Sequence, residues 1–186
     1  MAIQVTRTYV ASIQNQQQVE SDLDSLGFAA SKLWNIARWT CDRIWSETGT
    51  IPEDGPLKTY LKTRQCWKNL NAFSSQAIIE ELSDAFQSWF DVRHTDETAN
   101  PPGYRKEYDT RPRSTVTFKD NGFKLDPKHD QVRLSKGENL KDGWGDFVLC
   151  EFETRNDIAL SEVDTVQNVR VVWDGYEWAV HFVCKE

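Results

Sequence analysis

The chain has 186 residues, 39% of them hydrophobic and 12% aromatic, so it contains enough apolar material for one good-sized domain or two small ones. Its formal net charge is −7, which argues against a nucleic-acid binder, because such proteins usually carry a basic face. No apolar run approaches membrane-spanning length and the N-terminus lacks the apolar core of a signal peptide, so we expect a cytoplasmic protein without a membrane partner.

The first predicted strand covers residues 3–10, where β-branched side chains recur with a period of two. A strand on its own cannot satisfy its backbone hydrogen bonds, so this strand must pair with strands that come much later in the chain. The sequence from about residue 12 to residue 110 is therefore predicted to be a helical insertion into a β domain.

The insertion opens with two predicted helices. Apolar spacing before Gly27 predicts a first helix that stops at this glycine, and a second helix follows over residues 28–48. The second helix carries Trp34, Trp39 and Trp45, which cannot all share one face. Either this helix is buried on more than one side, or one of the three rings stacks on a base or ribose.

A third predicted helix begins at Pro56, because proline suits the first turn of a helix. Its apolar positions, including Tyr60 and Trp67, are expected to face inward. The same segment holds a dense basic patch with no acidic residue inside it, formed by Lys58, Lys62, Arg64 and Lys68. This patch is either a solvated face or a phosphate-binding surface.

The fourth predicted helix carries one broad apolar stripe, formed by Ile78, Ile79, Leu82, Ala85, Phe86, Trp89 and Phe90. Ser74 and Ser75 are expected to cap this helix, with the amide of Gln76 on its first turn and away from the packed face. A helix start with exposed donors suits phosphates or base edges. The alternative is that the serines only cap the helix and Gln76 is only solvated.

Six further strands are predicted, over residues 115–118, 123–125, 132–134, 147–152, 169–173 and 176–183. Residues 120–122 (Asp-Asn-Gly) predict a hairpin between the first two, and Asp174-Gly175 predicts a two-residue type I′ turn between the last two. We therefore predict an α+β fold, in which a small antiparallel OB-like β-barrel (residues 1–11 and 110–186) carries an inserted helical recognition domain (residues 12–109).

A second basic cluster with interleaved aromatic residues follows the proline-rich stretch at residues 100–103, and consists of Tyr104, Arg105, Lys106, Arg111 and Arg113. Catalytic signals are missing: the sequence has no GxSxG, HExxH or P-loop motif, and its three histidines are isolated. The four cysteines are widely spaced without a CxxC pair, which indicates reduced structural cysteines. We expect no metal site and no cofactor in this chain.

Three segments in this order, residues 73–90, 100–106 (Asn-Pro-Pro-Gly-Tyr-Arg-Lys) and 115–125, resemble the N-terminal half of the TnpB (OrfB) proteins of insertion sequences. These proteins are RNA-guided DNA nucleases. The resemblance implies a recognition domain and an OB-like wedge domain, with guide RNA and target double-stranded DNA as partners. In the family a RuvC nuclease domain follows, and this sequence stops about where that domain should begin, so the resemblance implies a chain that does not cut DNA by itself.

The resemblance also implies where nucleic acid is bound. It places the reading of a short target-adjacent motif at Ala72, Phe73 and Gln76 and on the hairpin near Lys119 to Asn121, although members carry Lys where this chain has Ala72. Together with the basic residues, the candidate nucleic-acid-binding residues are Lys58, Lys62, Phe73, Ser74, Gln76, Tyr104, Arg105, Lys106, Arg113, Lys119 and Asn121.

Other functions stay open at this point. The chain is alternatively a stand-alone DNA- or RNA-binding regulator derived from such a protein, or it works with a separate polypeptide that carries the RuvC half. A protein-interaction module without a nucleic-acid role is a third possibility, which the negative charge favours. Adaptation to high salt offers a different explanation of the acidic surplus, because acidic residues coat the surfaces of salt-adapted proteins.

Overall fold

A computed structural model of the protein describes residues 3–106, 111–141, 145–155, 159–163 and 165–185. The predicted domain boundary at residues 109 and 110 lies outside these ranges. In the described ranges, none of the helices combines the length and the apolar character that are needed to cross a membrane.

The helices lie between the first and second strands of the chain. They are α1 (Gln16–Thr48), α2 (Asp54–Leu61), α3 (Gln65–Asn69) and α4 (Ala72–Val92). The strands are β1 (Thr6–Ile13), β2 (Val116–Lys119), β3 (Phe123–Asp126), β4 (Gln131–Ser135), β5 (Phe147–Thr154), β6 (Thr165–Trp173) and β7 (Trp178–Lys185). Short 3-10 turns lie at Asp120–Gly122, Glu138–Leu140 and Leu160–Glu162.

The seven strands form one antiparallel sheet in the order β2-β6-β7-β1-β5-β4-β3, which curls into a nearly closed barrel. β1 lies at the centre of the sheet and pairs with β7 and β5, two strands from the far end of the chain. The predicted α+β class, with an antiparallel barrel and helices inserted after the first strand, is confirmed.

The core follows from the alternation of side chains along the strands. Val148, Cys150 and Phe152 on β5 point inward, and the ring of Phe152 lies 4.8 Å from that of Phe182 on β7. The buried faces of the helices extend this same cluster of apolar side chains. The helices are therefore packed on the barrel as part of one continuous core.

α1 runs through Gly27 without a break, so the predicted stop at this glycine is wrong. The reason for glycine here is contact with the barrel: a Cβ atom at this position would lie 2.7 Å from the ring of Trp178. Apolar residues before and after Gly27, such as Leu23 and Leu33, stay in helical phase and are fully buried. α1 ends at Gly49, whose φ of 71° is the left-handed value typical of helix ends.

The predicted third helix is two helices, α2 and α3. Leu57 and Leu61 are buried on α2, whereas the next buried side chains, Cys66 and Trp67, are out of phase with them in a single helix. The break at residues 62–64 changes the direction of the chain, so that the buried residues of α2 and those of α3 both reach the core. Tyr60 was expected to face inward, but the structure leaves it 55% exposed.

The hairpin predicted at residues 120–122 is wrong. β2 pairs with β6 and β3 pairs with β4, so the two strands flanking the turn lie at opposite edges of the sheet. Asp120, with a φ of 49°, starts a 3-10 turn that carries the chain from one edge strand to the other. The turn therefore joins the two edges of the nearly closed barrel.

The hairpin between β6 and β7 is confirmed, but its loop has four residues, 174–177, because Trp173 pairs with Trp178. The carboxylate of Asp174 accepts hydrogen bonds from the N–H groups of Tyr176 and Glu177, each at 2.8 Å. The backbone N–H of Asp174 donates in turn to the carbonyl of Glu177 at 3.1 Å, so side-chain and backbone hydrogen bonds together close the loop. The predicted two-residue turn is therefore wrong.

Candidate functional site

A groove of about 430 Å³ lies where the start of α4 meets the α2–α3 turn, the β2–β3 turn and the segment after β4. We call it the α4 groove. Its lining comprises Lys62, Trp67, Lys68, Leu70, Asn71, Ala72, Phe73, Asn121, Gly122, Ser135, Lys136, Glu138 and Lys141. Four of these side chains are lysines and one is a glutamate, so the groove is basic in a chain whose net charge is −7.

The four lysines differ in their surroundings. Lys136 is 6% exposed, and its Nζ lies 3.1 Å from a carboxylate oxygen of Asp22 on α1. Within the part of the chain that the structure describes, Lys62, Lys68 and Lys141 form no ion pair. Three lysine charges in the groove thus have no carboxylate partner among the described residues, and they can attract an anionic ligand.

The cap of α4 is Asn71, so the predicted capping by Ser74 and Ser75 is wrong. Asn71 Oδ1 accepts the N–H of Ser74 at 3.0 Å, and its carbonyl accepts the N–H of Ser75 at 3.1 Å. The N–H groups of Ala72 and Phe73 come before this first helical hydrogen bond. A helix start of this kind attracts anions, and here it borders the basic groove.

The two serines hold α4 in place instead. Ser74 Oγ donates to the carbonyl of Thr117 at 2.6 Å, and Ser75 Oγ donates to the carbonyl of Trp67 at 2.8 Å. Both residues are fully buried. Ser74 therefore cannot contact nucleic acid in this structure, although the sequence placed it among the candidates.

Asn71 also ties the groove walls together. Its Nδ2 donates to Ser74 Oγ at 2.8 Å and to the carbonyl of Ser135 at the end of β4 at 3.1 Å. Across the groove, the N–H of Gly137 donates to the carbonyl of Asn69 at 3.2 Å. These hydrogen bonds join the helical region to the barrel and fix the positions of the groove walls.

Three of the candidate residues from the sequence lie in this groove: Lys62, Phe73 and Asn121. Ala72, the position at which the chain departs from TnpB proteins, lines it as well. Phe73 is half-buried and Asn121 is exposed. The folding of the barrel therefore brings the start of α4 and the β2–β3 turn together.

Gln76 does not line the groove. It is half-buried on the second turn of α4, after the cap at Asn71. The sequence placed Gln76 on the first turn because it placed the cap three to four residues too late. Its predicted contact with a base edge therefore has no support from the groove geometry.

Lys58 and Lys119 share one carboxylate. Lys58 Nζ lies 2.8 Å from Glu80 Oε1, and Lys119 Nζ lies 3.2 Å from Glu80 Oε2. Partial burial alone raises the pKa of Glu80, but hydrogen bonds from the two lysines outweigh burial and hold its pKa below the usual value. These two ion pairs, which we call the Glu80 clip, join α4 to α2 and to β2. They also partly neutralise two of the predicted phosphate-binding residues.

The Glu80 clip predicts a pH effect. Because the pKa of Glu80 is lowered in the folded state, its stabilisation is present above the ordinary carboxyl pKa and is lost as pH falls through the lowered pKa of the folded state. Between about pH 7 and about pH 3, wild-type protein should lose roughly 0.5–1 kcal/mol more of its unfolding free energy than Glu80→Gln. Urea unfolding at both pH values measures this difference, and equal losses in the two proteins would show that the clip contributes nothing.

Arg105 and Arg113 are half-buried and form ion pairs within the chain. The guanidinium of Arg105 lies 4.0 Å from the ring centre of Trp34 and 3.6 Å from Glu81. Arg113 Nε lies 2.8 Å from Asp24 on α1. Each guanidinium is thus neutralised by a carboxylate on a helix. These two arginines therefore stabilise the packing of the chain and contribute little charge to a ligand-binding surface.

Residues 104–106, which precede β2, lie along α1. The side chain of Asn35 accepts the N–H of Arg105 and donates to its carbonyl, each at 2.8 Å. Tyr104 donates its hydroxyl to Asp42 at 2.7 Å, and exposed Lys106 lies 5.5 Å from the Tyr104 ring. Of the basic residues in this second cluster, Lys106 and Arg111 are exposed, and neither lines the α4 groove.

The sequence missed Asn71, Lys136 and Lys141 as groove residues. Lys136 and Lys141 follow β4, about 70 positions after the α2–α3 turn, and no spacing signal connects them to it. Only the pairing of β4 between β3 and β5 brings them to the start of α4. Asn71 could have been predicted from the sequence as the N-cap of α4, because asparagine is a favoured cap just before the apolar stripe of a helix.

Among the described residues, no three side chains of His, Cys, Asp or Glu converge in a way that suits a metal ion. No protein-family model matches this chain, and no curated protein matches it either. A proposal about function therefore depends on the α4 groove and the surfaces around it.

Proposed function

We propose that the chain binds nucleic acid in the α4 groove, as the recognition half of an RNA-guided nuclease similar to the TnpB proteins. The observation that carries this proposal is the convergence of four lysines and a helix N-terminus on one groove of an acidic protein. Phosphates suit such a groove, because they combine negative charge with oxygens that accept hydrogen bonds. Target duplex DNA is the ligand that we assign to the groove.

The roles of the individual groove residues follow from the chemistry of their side chains. Lys62, Lys68 and Lys141 contact phosphates, which positions the duplex without reading its sequence. Asn121 and Phe73 are the groove residues suited to bases, because an Asn amide pairs with the N6 and N7 edge of adenine and a ring packs on a thymine methyl. We therefore assign the motif-reading role to these two residues in place of Gln76.

The order of elements supports the relation to TnpB proteins. A first strand, an inserted helical region and later strands that close a barrel around that first strand follow the arrangement that the resemblance implies. On this proposal guide RNA is a further partner, and cleavage belongs to a RuvC domain, in the same polypeptide or in a separate one.

The test is the affinity of duplex DNA for the double variant Lys62→Ala/Lys68→Ala. We expect a loss of roughly tenfold at moderate salt, because each lost phosphate contact reduces affinity a few-fold. The matched control is Lys124→Ala/Lys128→Ala, which removes the same charge from exposed positions on β3 and the turn after it, outside the groove. Equal losses in the two double variants would overturn the assignment of DNA to this groove.

One observation favours a protein partner instead: Lys58, Lys119, Arg105 and Arg113 are all ion-paired with carboxylates of the chain itself. In an acidic protein this neutralisation weakens long-range attraction of nucleic acid. The two functions differ in what elutes with the purified chain. Nucleic acid in the eluate, seen in the absorbance ratio and by sequencing, excludes the protein-only function.

A further inference from the structure

Two aromatic rings on the helical side of the molecule are more than half exposed: Trp39 on α1 is 52% exposed and Tyr60 on α2 is 55% exposed. Both rings line one shallow depression of about 330 Å³, with Arg43, Ile44 and other α1 side chains around it. Tryptophan is normally well buried, and two large exposed rings in one depression mark a candidate ligand-binding surface.

An arginine lies over each of these rings. The guanidinium carbon of Arg43 lies 5.2 Å from the Trp39 ring centre, and that of Arg64 lies 5.6 Å from the Tyr60 ring centre. In each pair the arginine follows the ring by four residues, in α1 for Arg43 and just after α2 for Arg64. Arg43 also faces Glu47 at 3.8 Å, but both side chains are largely exposed, and such a pair is weak.

Open rings with adjacent guanidinium groups are the features that bind unpaired nucleotides. A base stacks on a ring without regard to sequence, and an arginine beside it binds the phosphate. We infer that Trp39 and Tyr60 form a stacking platform for single-stranded nucleic acid, with Arg43 and Arg64 as its phosphate contacts. This surface is separate from the α4 groove, since neither ring lines that groove.

The platform and the groove are connected through the α2–α3 turn. Lys62 lines the groove, and Arg64, two residues later, contacts Tyr60 of the platform. Between residues 58 and 68 the chain has four basic residues and no acidic one. A strand leaving a duplex in the groove therefore reaches the platform along a basic path. This continuity rests on the proposed function, whereas stacking on the two rings does not.

The test is the affinity of oligo(dT) and oligo(U) by fluorescence anisotropy. Trp39→Ala and Tyr60→Ala should each weaken binding roughly tenfold, because loss of one stacked base is of that size. Trp39→Phe should retain most of the affinity, since it keeps a ring. Tyr176→Ala is the matched control, because Tyr176 is 93% exposed in the β6–β7 loop, away from the platform.

Blunt duplex DNA, measured in parallel, separates this inference from the proposed function. Trp39→Ala should leave duplex affinity unchanged, whereas Lys62→Ala/Lys68→Ala should lower it. Single-strand binding that depends on Trp39 supports the platform even if duplex DNA does not bind at all. Failure of both oligonucleotides to bind, or equal affinities for wild type and the two alanine variants, would overturn the platform and leave the groove untouched. Unchanged melting temperatures of the variants confirm that these exposed substitutions do not act through folding.

Discussion

Gly137→Ala is expected to lower the free energy of unfolding by about 3 kcal/mol, which is at the upper end of the usual effect of overpacking. A Cβ atom at this position would lie 2.2 Å from the backbone carbon of Asn69 and 2.3 Å from the carbonyl oxygen of Lys68. These are backbone atoms, so no side-chain rotation relieves the clash. The segment after β4 must move away from α3, which also opens the α4 groove.

The matched control is Gly55→Ala. An added Cβ at Gly55 has nothing within 4 Å, and Gly55 lies in the first turn of α2. This substitution should be neutral or stabilise the protein by a few tenths of a kcal/mol, since alanine restricts the unfolded chain. Urea unfolding measures both variants. A Gly137→Ala protein as stable as wild type would mean that α3 and the β4 end are not packed as closely as the structure has them.

Trp178→Ala is expected to destabilise the protein by about 3–5 kcal/mol, the usual range for removing a large buried ring. Trp178 is fully buried at the start of β7, where it packs against Gly27 of α1 and lies 5.7 Å from the ring of Trp173. Its Nε1 donates to Asp24 Oδ1 at 2.9 Å. The side chain thus joins α1 to the barrel, and its loss leaves a cavity between them.

Trp178→Phe separates packing from hydrogen bonding. It keeps most of the ring volume but removes the donor to Asp24, and this carboxylate retains Arg113 as a partner. We therefore expect a smaller loss, about 1–2 kcal/mol, in thermal or urea unfolding. If Trp178→Ala and Trp178→Phe destabilise the protein equally, the hydrogen bond rather than the buried ring fixes α1 on the barrel.

The barrel was predictable because strand composition is a local signal. β5 and β7 are eight-residue segments rich in apolar, aromatic and β-branched residues, and a first strand without a neighbour had to pair with distant strands. Strand pairing at the 120–122 turn was not predictable in the same way. Asp-Asn-Gly marks a tight reversal, but which strands pair across it depends on the closure of the whole sheet.

Gly27 shows a second limit of sequence reasoning. A glycine after an apolar helical run is a common helix stop, and nothing near it in sequence shows that Trp178 packs on it 151 positions later. The contact is between two elements that are distant in the chain. The end of α1 before Gly49 was predictable from local signals, whereas the need for glycine at position 27, which comes from tertiary packing, was not.

The candidate site was predictable in part. Lys62, Phe73 and Asn121 were found from motif order and charge, and they line one groove. The carboxylates that neutralise the other predicted cations were not found, because Glu80 and Glu81 lie on α4 and their partners lie on other elements. Ion pairs between distant elements leave no pattern in a single sequence.

The most direct test of nucleic-acid binding in the α4 groove is the salt dependence of duplex DNA affinity for wild type and for Lys62→Ala/Lys68→Ala. Each neutralised phosphate adds about 0.9 to the slope of log affinity against log salt concentration. If both lysines contact phosphates, the slope of the double variant should be shallower by about 1.8, with no change in the unfolding free energy. Identical slopes in the two proteins would contradict a phosphate-binding role for the groove.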